Sequence, residues 1–284
     1  MVLLVGVVCG MLWLNPVGAG AQRELRMCWK SVFYMKNKTN ITLLIDNSNT
    51  RTKLMFSCDG MLGDELLVLP TSDLSEDGLR SALLGRAFDR VLVSSVVPRA
   101  ADVIRRTFRV PIKFLTAESP VDVSFDYKSL GTLGADRVAN VLGVVEAGIL
   151  PCVAVDLGTA VTFDVVIERA GMPYFVGGAI APGLSVMCSS LAQMTAQLPF
   201  VSADESVCAI GRSTVEGMQA GCLLGLCGQV RELLARIAEE LGVKPYVIAT
   251  GGDAVLVGNM LDCFDKVEPL LTFRGLNRAA QCVF

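Results

Sequence analysis

The chain has 284 residues and a formal net charge of −3, and it contains no histidine. This length is sufficient for two domains of ordinary size, each with its own hydrophobic core. The slight acidity argues against a nucleic-acid-binding surface, which needs concentrated basic charge. The missing histidine removes the commonest general base and zinc ligand, so proton transfer falls to a carboxylate, lysine, tyrosine or thiol.

The 10 cysteines are scattered singly, and none forms a C-x-x-C pair. Most have apolar neighbours, which favours buried free thiols in a reducing compartment over disulfides or a zinc site.

Residues 1–40 are predicted to be an N-terminal extension. Residues 1–22 carry no charged side chain, and Ala19-Gly20-Ala21 resembles a signal-peptide cleavage site. However, no lysine or arginine precedes the apolar run, and Met35 lies shortly before the first predicted strand. Two interpretations stay open. An upstream start-site extension is favoured over a true signal or anchor.

Residues 41–133 are predicted to form a first α/β domain, because short apolar runs alternate with a helical pattern. The expected elements are a hairpin from residue 41, a turn at 58–63, a strand at 66–69, a helix at 72–84 begun by Ser75, a strand at 90–97, a helix at 99–108 and a strand at 111–115. A polar, turn-rich passage at 120–133 follows.

Residues 134–284 are predicted to form a second domain. The expected elements are a helix at 138–147, strand–turn–strand at 153–164, a long helix from a capping box at 213–216 towards residue 241, a strand at 246–250 and a helix from residue 254. Residues 170–203 carry no charge, but prolines and glycines interrupt them. Strand, Pro-Gly turn and buried helix are therefore predicted there, with a subunit contact, rather than a membrane span.

Two segments about half the chain apart share one pattern. In each, an apolar strand reaches an aspartate, Asp46 or Asp156, and a turn bearing hydroxyl groups leads into the next strand. A carboxylate there can bind a hard cation, and the turn lets backbone N–H groups approach a phosphate. The repetition predicts a duplicated nucleotide-binding fold with one phosphate loop in each half. Gly251 and Gly252, where a strand meets a helix, would let a flat ligand lie against the backbone.

Each candidate side chain also has a simpler interpretation. Lys53 could neutralise phosphate charge or be a solvated lysine on an edge strand. Thr50, Thr159 and Thr162 could donate hydrogen bonds or reflect the strand preference of threonine. Asp136 lies at a predicted helix N-terminus, where its simpler role is to cap the helix. Phosphoryl transfer tolerates a carboxylate as proton acceptor, so a chain without histidine suits that chemistry.

From residue 41 onward the chain resembles the type III pantothenate kinases, which belong to the acetate kinase, sugar kinase, Hsp70 and actin superfamily. Four segments carry the likeness: Asp46-Asn-Ser-Asn49-Thr50-Arg-Thr-Lys53; Tyr127 followed by Gly134-Ala-Asp136-Arg137; Asp156-Leu-Gly-Thr159-Ala-Val-Thr162; and Gly178-Ala-Ile-Ala-Pro-Gly183 with Thr195-Ala-Gln-Leu-Pro199.

The resemblance implies an α/β fold of duplicated ribonuclease H-like (actin-like ATPase) domains, each a mixed five-stranded sheet with flanking helices. It implies ATP-dependent phosphorylation of pantothenate to 4′-phosphopantothenate, the first step of coenzyme A biosynthesis. Mg²⁺ and a monovalent cation, K⁺ or NH₄⁺, are the expected cofactors. A cytoplasmic homodimer is expected, with the substrate pocket at the subunit interface and with neither nucleic acid nor membrane as a partner.

The resemblance also implies residue roles. Asp136 would accept the proton of the pantothenate hydroxyl. The implied substrate-binding residues are Tyr127, Gly134, Ala135, Asp136, Arg137 and Thr214. The implied ATP-binding residues are Asp46, Asn47, Ser48, Asn49, Thr50, Arg51, Thr52, Lys53, Thr159, Gly251 and Gly252. The implied metal ligands are Asp46 and Asp156, with the monovalent cation at Asp156.

Two expectations concern energetics. Ser48 stands where the family usually has glycine, so if this position needs a positive φ or a close phosphate approach, serine would cost about 1 kcal/mol of strain and loosen ATP binding. Asp136 at a helix N-terminus is expected to be ionised and weakly basic at neutral pH. Two further functions stay open: another small-molecule kinase or phosphatase of the superfamily, and a non-catalytic nucleotide-binding regulatory protein.

Overall fold

A computed structural model of the protein describes residues 39–202 and 207–284. Both interpretations of the N-terminal extension fall on residues outside this described part, apart from its last two positions. The same is true of residue 203, the last of the charge-free stretch.

The first sheet has five strands in the order β3-β2-β1-β4-β5. Strand β1 pairs antiparallel with β2 and parallel with β4. The strands are β1 (Ile41–Asn47), β2 (Arg51–Cys58), β3 (Met61–Pro70), β4 (Arg90–Ser95) and β5 (Ile112–Phe114). Helices α1 (Glu76–Ala82) and α2 (Pro98–Thr107) flank this sheet. Helix α1 begins as predicted, because the Ser75 side chain accepts the N–H of Gly78.

The second sheet has six strands in the order β11-β10-β7-β8-β9-β6. They are β6 (Ser124–Phe125), β7 (Cys152–Leu157), β8 (Ala160–Arg169), β9 (Met172–Pro182), β10 (Tyr246–Thr250) and β11 (Lys266–Val267). Strand β7 pairs antiparallel with β8 and parallel with β10. Strands β9-β8-β7-β10-β11 therefore repeat the order and the directions of β3-β2-β1-β4-β5.

The expectation of five strands in each sheet is correct for the first sheet and wrong for the second. The extra strand, β6, comes from the turn-rich passage before the predicted boundary at residue 133. It pairs parallel with β9, and the rings of Phe125 and Phe175 lie 5.9 Å apart. Contact between these two aromatic rings stabilises the pairing of β6 with β9. The sequence around Phe125 and Phe175 does not predict this pairing.

Two other local expectations need correction. Strand β3 begins at Met61 rather than residue 66, because the hairpin turn needs only Asp59 and Gly60, both with positive φ. Helix α4 (Leu184–Met194), predicted to be buried, buries only Leu184 and Cys188.

The remaining helices are α3 (Ala135–Ala147), α5 (Thr214–Leu241), α6 (Ala254–Gly258) and α7 (Leu271–Val283). No described helix is long and apolar enough to cross a bilayer. Helix α5 starts at its capping box, where the Ser213 hydroxyl accepts the N–H of Glu216. Helix α7 was not predicted, because no side-chain cap from the described residues marks its start and glycine and asparagine interrupt its apolar pattern.

Helices α3 and α7 fill the space between the two sheets. Their apolar side chains form one core with Leu44 of the first sheet and Ala154 of the second. The alternate residues Leu43 and Ile45 face the opposite way, into a core with α1 and α2. A third core lies between the second sheet and helices α4, α5 and α6.

Glycines bring α3 and α7 into backbone contact. A Cβ on Gly275 of α7 would lie 1.7 Å from the Ala139 carbonyl oxygen. A Cβ on Gly143 of α3 would lie 2.5 Å from the Leu271 carbonyl oxygen. Only glycine permits this approach, so α7 is fixed against α3 along its first turns.

Candidate active site

One cleft, about 330 Å³ in volume, lies at the carboxyl ends of β1, β7 and β10. Both sheets contribute to it. The predicted site residues that line it are Asp46, Ser48, Asn49, Thr50, Arg51, Lys53, Asp136, Asp156, Thr159, Gly251 and Gly252. The structure therefore brings together the two predicted phosphate turns, the glycine pair and the predicted base.

The tips of the two phosphate turns touch. The hydroxyl oxygens of Thr50 and Thr159 lie 3.1 Å apart, although the residues are 109 positions apart in the chain. A phosphate between these turns would have a hydroxyl group available from each sheet.

Ser48 adopts an unstrained backbone. Asp59 and Ala170 are the described non-glycine residues with positive φ, so Ser48 does not meet the positive-φ condition for the expected strain. The Ser48 backbone N–H and hydroxyl both donate to the Arg51 carbonyl, each at 3.0 Å. The serine therefore closes the first turn instead of distorting it.

Asn47 and Thr52 lie behind this turn rather than along the cleft. Asn47 is buried, and its Nδ2 donates to the Thr52 hydroxyl at 2.8 Å. Its Oδ1 accepts a hydrogen bond from the Ser95 hydroxyl at 2.6 Å. Because both ends of the Asn47 amide are used within the protein, these residues brace the turn.

Gly251 allows the third turn to lie against Asp156. Its φ is +95°, and a Cβ there would lie 2.5 Å from both Asp156 Oδ1 and the Leu157 carbonyl oxygen. By contrast, no described atom lies within 4 Å of a Cβ built on Gly252. Space for a ligand at this turn is therefore on the Gly252 side.

Four carboxylates line the cleft, those of Asp46, Asp136, Asp156 and Asp253, and burial raises the pKa of each of them. Burial raises the pKa of Asp46 to about 7, although Lys53 Nζ, 3.8 Å from Asp46 Oδ2, opposes the shift. Burial also raises the pKa of Asp156, and the Asn140 amide opposes it. The negative charge of Asp136 adds to both shifts. The cleft therefore favours a bound cation, which would stabilise the ionised carboxylates.

The carboxylates fit a magnesium ion that shares its coordination with phosphates. No three acidic or thiol side chains of the described residues are close enough to hold a metal by themselves. Mg²⁺ in phosphate-binding sites usually takes only one or two carboxylates and completes its shell with phosphate oxygens and water. Asp46 and Asp156 can supply those carboxylates.

Asp136 is the second residue of α3, after the N-cap residue Gly134. Its Oδ1 accepts the backbone N–H of Arg137 at 2.8 Å. Burial nevertheless raises the pKa of Asp136 and outweighs this hydrogen bond. The expectation of a weakly basic carboxylate is therefore wrong, because removing the charge from water matters more here than the helix end.

Gly134 and Ala135 position this carboxylate and do not line the cleft. A Cβ on Gly134 would lie 2.4 Å from Asp136 Oδ1, so glycine leaves room for the side chain. Ala135 is buried at the start of α3.

Arg137 and Tyr127 lie beside the cleft, around Phe175. Arg137 is buried, and its Nε donates to Asp164 Oδ1 at 2.6 Å. Its guanidinium carbon lies 5.5 Å from the centroid of the Phe175 ring, and the Tyr127 ring lies at the same distance. Arg137 Nη2 is buried and has no hydrogen-bond partner among the described residues. An unpaired guanidinium nitrogen of this kind would be stabilised by an anionic or carbonyl partner.

Thr214 is not brought to this site. It is exposed at the first turn of α5 and does not line the described cleft.

Sequence reasoning assigned no role to four polar residues of the site: Asn140, Asp164, Asp253 and Thr272. Asp164 accepts hydrogen bonds from Arg137 and from the Thr162 hydroxyl. Asn140 follows Asp136 by one helical turn, a spacing that places both on one face of α3 and could have revealed it. Asp253 follows the glycine pair directly and lines the cleft. No sequence feature predicted that Thr272 lies at the site, because α7 itself was not predicted.

Solved structures with this fold include a conserved Baf family protein from Campylobacter jejuni and ethanolamine utilization protein EutJ from Carboxydothermus hydrogenoformans. The first has a TM-score of 0.57 at 19% identity, covering 84% of this chain and 97% of the other. The second has a TM-score of 0.51 at 12% identity, covering 90% of this chain and 99% of the other. At these identities the likeness establishes the fold alone.

Sequence comparison is more specific. The model of the type III pantothenate kinase family matches residues 42–236. A type III pantothenate kinase from Akkermansia muciniphila is 44% identical over 238 residues, 84% of this chain and 97% of its own length. Another, from Methylacidiphilum infernorum, is 34% identical over 236 residues, 82% of this chain and 86% of its own length. The chain belongs to the type III pantothenate kinase family.

Proposed function

We propose that this protein is a kinase that transfers the γ-phosphoryl group of ATP to the hydroxyl group of pantothenate, forming 4′-phosphopantothenate at the first step of coenzyme A biosynthesis. The observation that carries the proposal is the convergence of both phosphate turns and Asp136 on one cleft. Phosphoryl transfer needs positioning and charge neutralisation, and its loose transition state requires only a well-placed carboxylate as proton acceptor.

The phosphate side of the cleft uses both turns. Thr50 and Thr159 donate hydroxyl hydrogen bonds to ATP phosphates, and Lys53 neutralises their charge. Gly251 and Gly252 lie on the adenosine side. Asp46 would hold Mg²⁺, and Asp156 would hold the monovalent cation. When bound, these cations supply positive charge against the transferring phosphoryl group.

The alcohol side uses the start of α3. Asp136 accepts the proton of the pantothenate hydroxyl through its carboxylate, and its raised pKa makes it a stronger base than an exposed aspartate. The free Nη2 of Arg137, with Tyr127 nearby, binds pantothenate. Thr214 can bind pantothenate only in a pocket that a partner subunit completes.

We further infer that the protein is a cytoplasmic homodimer. Some of the exposed apolar side chains of the described residues lie in the part of the sequence that runs from β9 to the first turn of α5: Ile180, Leu191, Met194, Phe200, Ile210 and Val215. Of the α5 glycines, only Gly225 has a described atom of this chain near a Cβ built on it, at 3.5 Å; Gly217, Gly221 and Gly228 have none. A second copy covering this surface would bury it.

The two halves are proposed to be duplicated actin-like ATPase domains of ribonuclease H type, residues 41–133 and 134–284. The repeated strand order and directions of the two sheets support duplication.

The test is an assay of ATP and pantothenate with the purified protein, with and without K⁺. We expect potassium-dependent formation of 4′-phosphopantothenate. Asp136→Asn should lower kcat by roughly 10²–10⁴-fold, the usual contribution of a general base. Asp77→Asn is the matched control, because Asp77 also lies in the first turn of a helix but outside the described cleft.

Two results would contradict the proposal. Phosphorylation of another alcohol without turnover of pantothenate would indicate a different small-molecule kinase. ATP binding in calorimetry, without transfer to any acceptor, would indicate a non-catalytic nucleotide-binding protein.

A further inference from the structure

A buried hydrogen-bond relay connects helix α7 to Asp156. The Thr272 hydroxyl donates to Asn140 Oδ1 at 2.8 Å, and Asn140 Nδ2 donates to Asp156 Oδ2 at 2.9 Å. Asn140 is 0% exposed and Thr272 is 9% exposed. The contact between α3 and α7 at Gly143 and Gly275 brings the two side chains within reach.

The chemistry of the three groups fixes the direction of the relay. An ionised Asp156 can only accept hydrogen bonds, so the Asn140 amide must present its NH₂ group to it. The Asn140 carbonyl then faces Thr272, whose hydroxyl must donate. Replacing threonine by a residue without a hydroxyl would leave the buried Asn140 carbonyl unpaired and free the amide to turn.

The relay holds one carboxylate oxygen and leaves the other for the cleft. Asp156 Oδ2 accepts the Asn140 hydrogen bond, whereas Oδ1 lies next to the glycine turn, where a Cβ on Gly251 would be 2.5 Å away. Rotation of the carboxylate about its terminal bond would break the hydrogen bond to Asn140. The orientation of Oδ1 therefore depends on α7.

We propose that Asn140 and Thr272 are positioning residues, through which α7 orients the Asp156 carboxylate for the cation and phosphate side of the reaction. The inference rests on the proposed role of Asp156. Residues that hydrogen-bond to metal-binding carboxylates typically change metal affinity or activity by roughly 10–100-fold when they are replaced.

The same helix provides a control. Asn277 of α7 accepts a hydrogen bond from the Ser57 hydroxyl at 2.6 Å and donates to the Gly60 carbonyl at 2.6 Å. Both partners belong to the first sheet or its hairpin turn, and neither lines the described cleft. Asn277→Ala therefore weakens the packing of α7 without removing any member of the relay.

The experiment compares Thr272→Val, Thr272→Ser and Asn277→Ala in the full chain. Two readouts are measured: the K⁺ concentration that gives half-maximal phosphorylation, and the K⁺ dependence of ATP binding in calorimetry without pantothenate. Thr272→Val, which keeps the shape but loses the hydroxyl, should raise both K⁺ requirements about tenfold or more. Thr272→Ser keeps the hydroxyl and should have the wild-type K⁺ requirements. Asn277→Ala should lower Tm and leave both K⁺ requirements unchanged.

The proposal is overturned if Thr272→Val keeps the wild-type K⁺ requirement, or if Asn277→Ala shifts it equally. A wild-type protein without any K⁺ or NH₄⁺ response would refute the cation role of Asp156 instead. The positioning role is then decided by the KM for ATP, which Thr272→Val must raise and Thr272→Ser must not. Should Thr272→Val fail to fold, Thr272→Ala is measured in its place, since it removes the same hydroxyl.

Discussion

Arg137 donates hydrogen bonds to two carboxylates, those of Asp136 and Asp164. Its backbone N–H donates to Asp136, the proposed base, and its side chain donates to Asp164. Burial raises the pKa of Asp164 to about 7, but the guanidinium group opposes the shift and favours the charged form. At the scale of the residue, desolvation and specific hydrogen bonds therefore determine the pKa of each carboxyl group.

The raised pKa of Asp136 predicts where activity falls at low pH. A general base works only when deprotonated, so the rate is lost as the pH decreases through the pKa of the folded protein. Since burial raises that pKa from its ordinary 3.8, kcat/KM for pantothenate should fall at a higher pH than a carboxyl group of ordinary pKa would give. The measurement is a pH profile of kcat/KM. An acid limb at or below pH 3.8 would refute this role of burial.

Removing the charge of Asp164 should cost both stability and substrate binding. In Asp164→Asn, the Arg137 guanidinium stays buried without its counter-charge, and breaking such a pair typically costs about 3–5 kcal/mol. We expect a lower Tm and a higher KM for pantothenate, with little change in the KM for ATP.

Asp126→Asn is the matched control for this substitution. It removes an exposed ion pair with Arg169 of the same length, 2.6 Å, and exposed pairs contribute only about 0–1 kcal/mol. Equal effects of the two substitutions on Tm and KM would show that the Arg137 pair has no special role.

At the scale of the element, the contact between α3 and α7 determines the position of the site. Both helices lie between the two sheets, and each presents a glycine to the backbone of the other. Backbone contact leaves no room for adjustment, because the obstructing atoms are carbonyl oxygens rather than flexible side chains.

Gly275→Ala should therefore destabilise the protein. The new methyl group would lie 1.7 Å from the Ala139 carbonyl oxygen, and overpacking of this kind typically costs about 1–3 kcal/mol. Denaturant unfolding measures the loss. Gly131→Ala is the control, because no described atom lies within 4 Å of its Cβ and its φ is not in the left-handed region. A neutral Gly275→Ala would show that the helices can separate without cost.

Elements with strong local signals were predictable from the sequence. The β1–β2 hairpin, the start of α1 at Ser75 and the start of α5 at its capping box were all expected and are present. Contacts between segments that are distant in the sequence were not predictable, because they depend on packing in the folded chain. Strand β6 needs Phe175, helix α7 needs the glycine contact with α3, and Thr272 reaches Asn140 only across that contact.

The candidate site shows the same difference between local signals and packing. Asp46 and Asp156 were expected at the ends of strands and Asp136 at the start of a helix, and all three line the cleft. The weak basicity expected for Asp136 was wrong and the positive φ considered for Ser48 is absent, because burial and φ angles are properties of the folded chain.

At the scale of the whole molecule, exposed apolar side chains are the basis of the proposed surface for a second copy. Met194 is 84% exposed and Phe200 is 75% exposed. A charge placed in a buried interface is costly, so Phe200→Asp should shift a homodimer to monomer. Sedimentation velocity measures the change.

Leu84→Asp is the control for Phe200→Asp. Leu84 is 84% exposed but lies near the end of α1, beside the first sheet. We expect this variant to sediment as the wild-type protein does. Dissociation by both substitutions, or by neither, would contradict the proposed surface.

The place of α7 in the chain has a consequence for folding during synthesis. Helix α7 follows every strand that the structure describes. Domains generally begin to fold while later residues are still being translated. The first sheet, whose strands all end by Phe114, can therefore form on the ribosome while the glycine face of α3 stays uncovered and Asn140 lacks its hydroxyl partner. The candidate cleft would thus be completed late, by the last helix of the described chain.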